Sequence, residues 1–272
     1  MRSVGGSYDV GMRHSFYLRL AYDGADFHGW QVQSTLPTVQ GALWKALRAV
    51  EPEAPMPQGT GRTDSGVHAE AQGTVVRVMR DWEPYRLLAA LNAHLPPTIR
   101  VMESVEVPDE FYPRRHAVAK RYRYRLGLGP TAHPLERAIR WQLFQKDPLD
   151  QAAMAEAARA WVGTHDFSAF RHQECEADSP IRTIHDIRLE PHRLGLDLVF
   201  EGTAFLMHQV RIMSGSLVQV GKGKLPAAEA PAILESRDRT RAGETAPAHG
   251  LCMEKVWYEA KWGLNEPCPW GE

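Results

Sequence analysis

Between Gly59 and His68 the chain reads Gly59-Thr60-Gly61-Arg62-Thr63-Asp64-Ser65-Gly66-Val67-His68. A cation, several hydroxyls, a carboxylate and an imidazole stand there with glycine on both sides. Glycine lets a backbone approach a ligand closely and lets a short side chain project from it. A carboxylate so placed, Asp64, can serve as a nucleophile or a general base. The plainer reading is an Asx turn, with Asp64 bonded to amides of its own loop. The segment lacks the Lys-Ser/Thr pair of a phosphate-binding P-loop. His68 and Asp64 are four positions apart, but no third ligand, HExxH or cysteine pair accompanies them, so no metal is expected here.

Two further groups of residues bear on chemistry. From Phe111 to Leu135 there is no Asp or Glu, yet Arg114, Arg115, Lys120, Arg121, Arg123 and Arg125 all fall there. The formal net charge of the chain is −1, so this is a local basic block in a near-neutral protein. Such a block fits an anionic partner, or else a solvated charged strand. Within it, Lys120-Arg121-Tyr122-Arg123-Tyr124 can offer a flat ring to a base and cations to phosphates. The alternative is a strand with tyrosines facing a core and arginines facing water. The last residue is Arg211, in the apolar run Phe205-Leu206-Met207-His208-Gln209-Val210-Arg211. A buried guanidinium needs an anionic partner, whereas an arginine at a helix edge reaches water along its own stem.

These residues must be held by regular elements. Phe16, Leu18, Leu20 and Tyr22 alternate with Tyr17, Arg19 and Ala21, which predicts a strand ended by Asp23-Gly24. Thr38 is placed as the N-cap of a helix bearing Val39, Leu43, Ala46, Leu47 and Val50 on one face. After the Asp64 loop, Thr74 to Val78 reads as a strand, Pro84 opens a helix lined by Leu87, Leu88 and Leu91, and Ile99 to Val105 forms another strand. In the second half, 148–162 is expected to be a helix capped by Asp147 and closed by Gly163. Residues 184–190 and 196–200 form a hairpin pair, 206–220 and 227–236 helices, and 251–260 a closing strand. Strands and helices mixed without strict alternation favour α+β. The expected architecture is two sheet-plus-helix halves, 14–110 carrying the Asp64 loop and 111–262, flanked by a flexible extension at 1–13 and a loose tail at 263–272. Met12 is an alternative start.

Bulk properties exclude some classes. With 43% hydrophobic and 24% charged residues, the 272-residue chain has the composition of a globular protein. No long uncharged apolar run predicts a membrane span, and residues 1–13 lack the apolar core of a signal peptide. Cys175, Cys252 and Cys268 are odd in number and far apart, as in a cytoplasmic protein with reduced thiols.

Taken in order, the motifs resemble one family, tRNA pseudouridine synthase A. Tyr22-Asp23-Gly24 with Phe27-His28-Gly29-Trp30-Gln31 resembles its opening motif, and Gly61-Arg62-Thr63-Asp64-Ser65-Gly66-Val67-His68 its catalytic motif, with Ser65 where Ala is frequent. Asn92-Ala93-His94-Leu95-Pro96, Lys120-Arg121-Tyr122-Arg123-Tyr124 and Gly163-Thr164-His165-Asp166-Phe167-Ser168-Ala169-Phe170 follow. The Phe205–Arg211 run and Thr245-Ala246-Pro247-Ala248-His249-Gly250-Leu251 complete the series, with Met207, Gln209 and His249 as departures. The resemblance implies isomerisation of uridine to pseudouridine at positions 38, 39 and 40 of the tRNA anticodon arm. It implies a fold of two related α+β halves around a central cleft. It assigns catalysis to Asp64, target-base stacking to Tyr122, displacement of the nucleotide to Arg62, and pairing with Asp64 to Arg211. It further implies a homodimer acting on tRNA in the cytoplasm, with neither metal nor organic cofactor. Arg114, Arg115, Lys120 and Arg121 are the expected phosphate contacts. Two rivals remain at this point: an RNA-binding protein without catalysis, and a metal-dependent nuclease or deaminase.

Overall fold

The computed structural model describes residues 14–144, 147–264 and 266–271; the expected extension at 1–13, with Met12, lies outside them. Strands β1 (His14–Tyr22), β2 (Gln58–Gly59), β3 (His68–Val78) and β4 (Ile99–Val107) come from the first part of the chain. Strands β5 (Ala117–Leu128), β6 (Trp141–Leu143), β7 (Gly163–Asp166), β8 (Ile181–His192), β9 (Gly195–Gly202) and β10 (Leu251–Tyr258) come from the second. All belong to one sheet, ordered β4-β1-β3-β10-β5-β9-β8-β7, with β2 on β3 and β6 on β5. Helices α1 (Val39–Val50), α2 (Pro84–His94), α3 (Gln151–Arg159), α4 (Gln209–Gly221) and α5 (Ala230–Ser236) complete an α+β fold, as expected.

Along its main path the sheet is antiparallel except where it meets the loop. There β3 runs parallel to β10 for only two residue pairs, Cys252 with His68 and Met253 with Ala69. The last strand of the chain thus inserts beside the strand that begins at the end of the Asp64 loop. It pairs on its other edge with β5 from Leu251 to Tyr258. The Asp64 loop and the Tyr122 strand are therefore brought to the centre of one sheet by a strand distant from both in sequence.

Local chemistry sets the elements. Thr38 Oγ1 accepts from Gly41 N, capping α1, and the α1 face of Val39, Leu43, Ala46 and Leu47 is buried. Glu83 caps α2, whose first residue is Pro84, and the rigid ring suits that position. Several expectations change. The cap of α3 is Asp150, whose side chain accepts from Ala153 N, and not Asp147. The proline at 148 and the two residues after it precede the first turn. The strand expected from Thr74 begins at His68, because pairing with β1 and β10 extends it back to the loop. In β1 both faces are buried at the start: Tyr17 packs edge-on against Phe111 and Tyr258, so its alternation does not separate core from water. The tail expected to be loose is anchored, for Trp270 stacks on His185 and its indole N–H donates to Glu201 at 2.7 Å. The cysteines are free thiols. No helix among the described residues is long and apolar enough to cross a membrane.

Candidate active site

The Asp64 loop is pinned by the segment that follows β1. Tyr22 Oη and Thr63 Oγ1 share a hydrogen bond of 2.9 Å. Trp30 N donates to the Thr63 carbonyl and Gly66 N to the Phe27 carbonyl, each at 3.1 Å. Two glycines permit this contact. Gly66 has φ +78°, and Gly29, with φ +83°, faces the loop so closely that a Cβ would lie 2.5 Å from the Thr63 carbonyl oxygen. At the loop's end, buried His68 accepts from Gly24 N through Nδ1 at 3.1 Å. That ring closes the loop onto the opening turn. Among the described residues, no group of three or more His, Cys, Asp or Glu could hold a metal ion.

The Asp64 side chain turns away from its own loop. Its turn is closed by the backbone, Val67 N to the Asp64 carbonyl at 3.1 Å, while the carboxylate reaches α4. Arg211 Nη1 donates to Asp64 Oδ2 at 3.0 Å, and Arg211 Nε donates to the Ala246 carbonyl at 2.8 Å. Both side chains are mostly covered, Asp64 20% and Arg211 14% exposed. The Asx turn is thus not formed, and Arg211 is a paired cation in place of one extending to water. The burial that makes an isolated guanidinium costly is offset by the carboxylate and the carbonyl together.

Tyr122 and Lys120 lie on the same face of β5, since alternate residues of a strand share a face. Tyr122 is 8% exposed and meets Phe205 edge-on at 5.1 Å between ring centres. Burial raises its phenol well above the ordinary range, and the negative potential of Tyr22 and Asp64 adds to this. Tyr124 on the same face is fully buried and donates to the Pro247 carbonyl at 2.8 Å, so it is a core residue. Lys120 Nζ donates to the Thr60 carbonyl at 3.2 Å, at the start of the Asp64 loop. Burial first, then Arg114 and Arg182, lower its ammonium to about 8. Arg62 is exposed and reaches Glu176 at 3.4 Å, a loose pair across to the segment before β8. Arg114 lines an open pocket with Arg62, Gly61, Trp30, Gln58 and Tyr112; Arg115 beside it is also exposed.

Arg121 is not brought to this site. Its Nε donates to Glu201 at 2.6 Å on the opposite face of β5, where Arg123 and Arg125 are also tied to carboxylates. Three residues escaped the sequence reading. Arg182 lies near enough to Lys120 to depress it and donates to the Ser179 and Ile181 carbonyls. Nothing in a lone cation at a strand start would have singled it out. His208 places Nε2 3.5 Å from Asp64 Oδ2, and His172 packs edge-on against His208 at 4.4 Å. For His208 a signal existed, because it stands three positions before Arg211 at helical spacing.

Comparison with known proteins agrees with these motifs. Residues 157–259 match the family model described as tRNA pseudouridine synthase. The tRNA pseudouridine synthase A of Myxococcus xanthus is 42% identical over 242 residues, covering 89% of this chain and 91% of that protein. The protein of the same name from Caulobacter sp. (strain K31) is 42% identical over 248 residues, covering 90% of this chain and 98% of that one. That of Dinoroseobacter shibae is 39% identical over 250 residues, covering 89% and 96%. Identity at that level along nearly the whole length leaves no large part of the chain unaccounted for, and the chain belongs to the tRNA pseudouridine synthase A family, whose members are isomerases.

Proposed function

We propose that this chain isomerises uridine to pseudouridine at positions 38, 39 and 40 in the anticodon stem-loop of tRNA, with Asp64 as the catalytic carboxylate. The observation that carries the reading is the Asp64 side chain itself. It stands on a pinned loop beside Tyr122, with Oδ2 held by Arg211 at 3.0 Å. Arg211 supplies the counter-charge that a partly buried carboxylate needs in order to react as an anion.

The reaction breaks C1′–N1, turns the uracil, bonds C1′ to C5 and discharges the C5 hydrogen as a proton. A stacked base is out of reach, so the nucleotide is extruded at a cost of about a few kcal/mol. Stacking on the Tyr122 ring returns about 1–3 kcal/mol. Arg62, exposed and only loosely paired with Glu176, takes the place of the displaced nucleotide. Asp64 then attacks C1′, adds to C6 or removes the proton at C2′; each route uses one ionised carboxylate in the same small volume. None requires a metal or an organic cofactor. Arg114, Arg115 and Lys120 hold the phosphates, and Arg182 adds to them. The protein acts as a cytoplasmic homodimer whose two subunits touch one tRNA.

The positional assignment is tested with tRNAs that keep a single uridine at 38, 39 or 40, and one that keeps none. After reaction and carbodiimide treatment, primer extension is expected to stop at each retained uridine and nowhere in the control. A stop elsewhere, with none in the anticodon arm, overturns the assignment. Sedimentation at micromolar concentration is expected to give the mass of two chains; a single-chain mass with full activity removes the dimer.

A further inference from the structure

His208 is the N-cap of α4 and adopts the left-handed conformation, φ 61° and ψ 2°, with no side-chain cap bond. A residue with a Cβ disfavours that conformation, and such strain gathers at functional sites. The strain here does not serve the helix terminus, whose cap is unmade. It aims the imidazole at the Asp64 carboxylate, with Nε2 3.5 Å from Oδ2. Arg211 donates to that same oxygen at 3.0 Å. Two nitrogens from one turn of α4 therefore converge on Oδ2, Arg211 Nη1 by a hydrogen bond and His208 Nε2 as a close neighbour.

The other ring nitrogen, Nδ1, is buried and has no hydrogen-bond partner. In the neutral ring with its proton on Nε2, Nδ1 carries only a lone pair. A second proton would bury an N–H without an acceptor, which is costly. The charged and titratable groups around the ring are Asp64 on the loop, Arg211 on α4, His172 in the segment before β8, and Arg239 in the turn after α5. Burial is the largest influence and lowers the imidazole below its ordinary range; Asp64 opposes, and Arg211, His172 and Arg239 reinforce it.

We infer that His208 is a positioning residue for the reacting carboxylate: as a neutral donor it fixes Asp64 Oδ2 together with Arg211, and so selects Oδ1 as the oxygen that meets the nucleotide. This rests on Asp64 being the reacting group. Protonation of the ring in acid would turn a neutral donor into a second full counter-charge and weaken the carboxylate as a nucleophile. His208 thereby contributes to the acid limb of the rate profile.

The test uses single-turnover release of the C5 hydrogen from tRNA between pH 5 and pH 8, with wild type, His208→Asn, His208→Gln and Asp64→Ala. Asn tolerates the left-handed backbone but is too short to reach Oδ2, whereas Gln can return an untitratable N–H to the position of Nε2. His208→Asn is expected to lower the rate by about ten- to a hundredfold, the worth of a hydrogen bond to a charged group, with KM for tRNA unchanged. His208→Gln is expected to recover most of that loss, and in both variants the acid limb moves to lower pH. Wild-type rates and acid limb in both variants, or a rise in KM alone, overturn the inference. If Asp64→Ala itself keeps turnover, the reading of Asp64 fails and not merely that of His208.

Discussion

Two ion-paired regions of the molecule join basic and acidic side chains in different proportion. On the far face of β5, arginines and carboxylates meet in equal number and share one another. Arg123 contacts Glu190 at 2.7 Å, Glu254 at 2.8 Å and Asp197 at 3.3 Å, and Asp197 in turn takes Arg140 at 2.6 Å. Buried Glu201 is shared by Arg121 at 2.6 Å and Arg188 at 2.9 Å. At the site the balance is uneven, for the one carboxylate of Asp64 faces Arg211 and His208. Arg211 donates to Oδ2, and His208 Nε2 lies nearest the same oxygen. The network commits its acceptors to its own cations. The site leaves one acceptor oxygen, Oδ1, outside both of these contacts. A cation count in the sequence does not distinguish these regions, because what matters is which cations remain unneutralised.

That contrast can be broken by exchanging the fates of the two arginines. Arg211→Leu is expected to cost the chemical step about a hundred- to a thousandfold, as loss of a preorganised charge does, and tRNA affinity much less. Measuring Kd and single-turnover rate side by side decides it; an affinity loss with an intact rate removes Arg211 from the chemistry. Arg123→Ala, in the network, is expected to behave the other way. Its carboxylates keep contacts with Arg140, Arg188 and Arg121, so losing its own charged hydrogen bonds costs about 1–3 kcal/mol of folding stability, read by denaturant unfolding, with the rate per folded molecule unchanged.

The Tyr122 face of β5 sharpens the comparison further. Burial and the neighbouring Arg114 and Arg182 lower Lys120 to about 8, so it is an ammonium below that pH and a neutral amine above it. If Lys120 holds a phosphate as proposed, it does so in the charged form, and affinity for tRNA is expected to fall as pH rises through about 8. Lys120→Met is expected to abolish that inflection; its persistence would place the titration elsewhere. The smallest effect belongs to the exposed pair. Arg114→Ala with Arg115→Ala is expected to flatten the dependence of log affinity on log salt by roughly one for each phosphate that is no longer neutralised. An unchanged slope removes both from the phosphate path.

The sequence carried much of this, but unevenly. The helical spacing of Val210, Met213, Leu217 and Val220 locates α4, and the arginine within its apolar run leaves an ion pair or a stem reaching water, which the contact with Asp64 decides for the first. The glycines around Asp64 read as room for a ligand, whereas the close approach seen is between backbones, with Gly29 of the preceding segment facing Thr63. What is not legible is non-local. Arg121 reads as a phosphate contact until β9 is set against β5, where the register places Glu201 opposite it. Nothing near Arg121 in sequence announces a carboxylate at 201. The insertion of β10 between β3 and β5 is equally invisible, since it depends on pairing of strands far apart in the chain. The cap of α3 differs for a local reason: Pro148 suits a first helical position, but Asp150 just after it supplies the capping carboxylate.

The proposed chemistry turns on Asp64, and the most direct measurement is tritium release from tRNA carrying uridine labelled at C5, with wild-type protein and with Asp64→Ala, both in EDTA. Isomerisation must discharge that hydrogen to water. Release by wild type, with a fall of about ten-thousandfold or more in Asp64→Ala and tRNA binding kept, is the predicted result. Release by the variant at the wild-type rate, or none from wild type on a tRNA that it binds, would contradict the role given to Asp64.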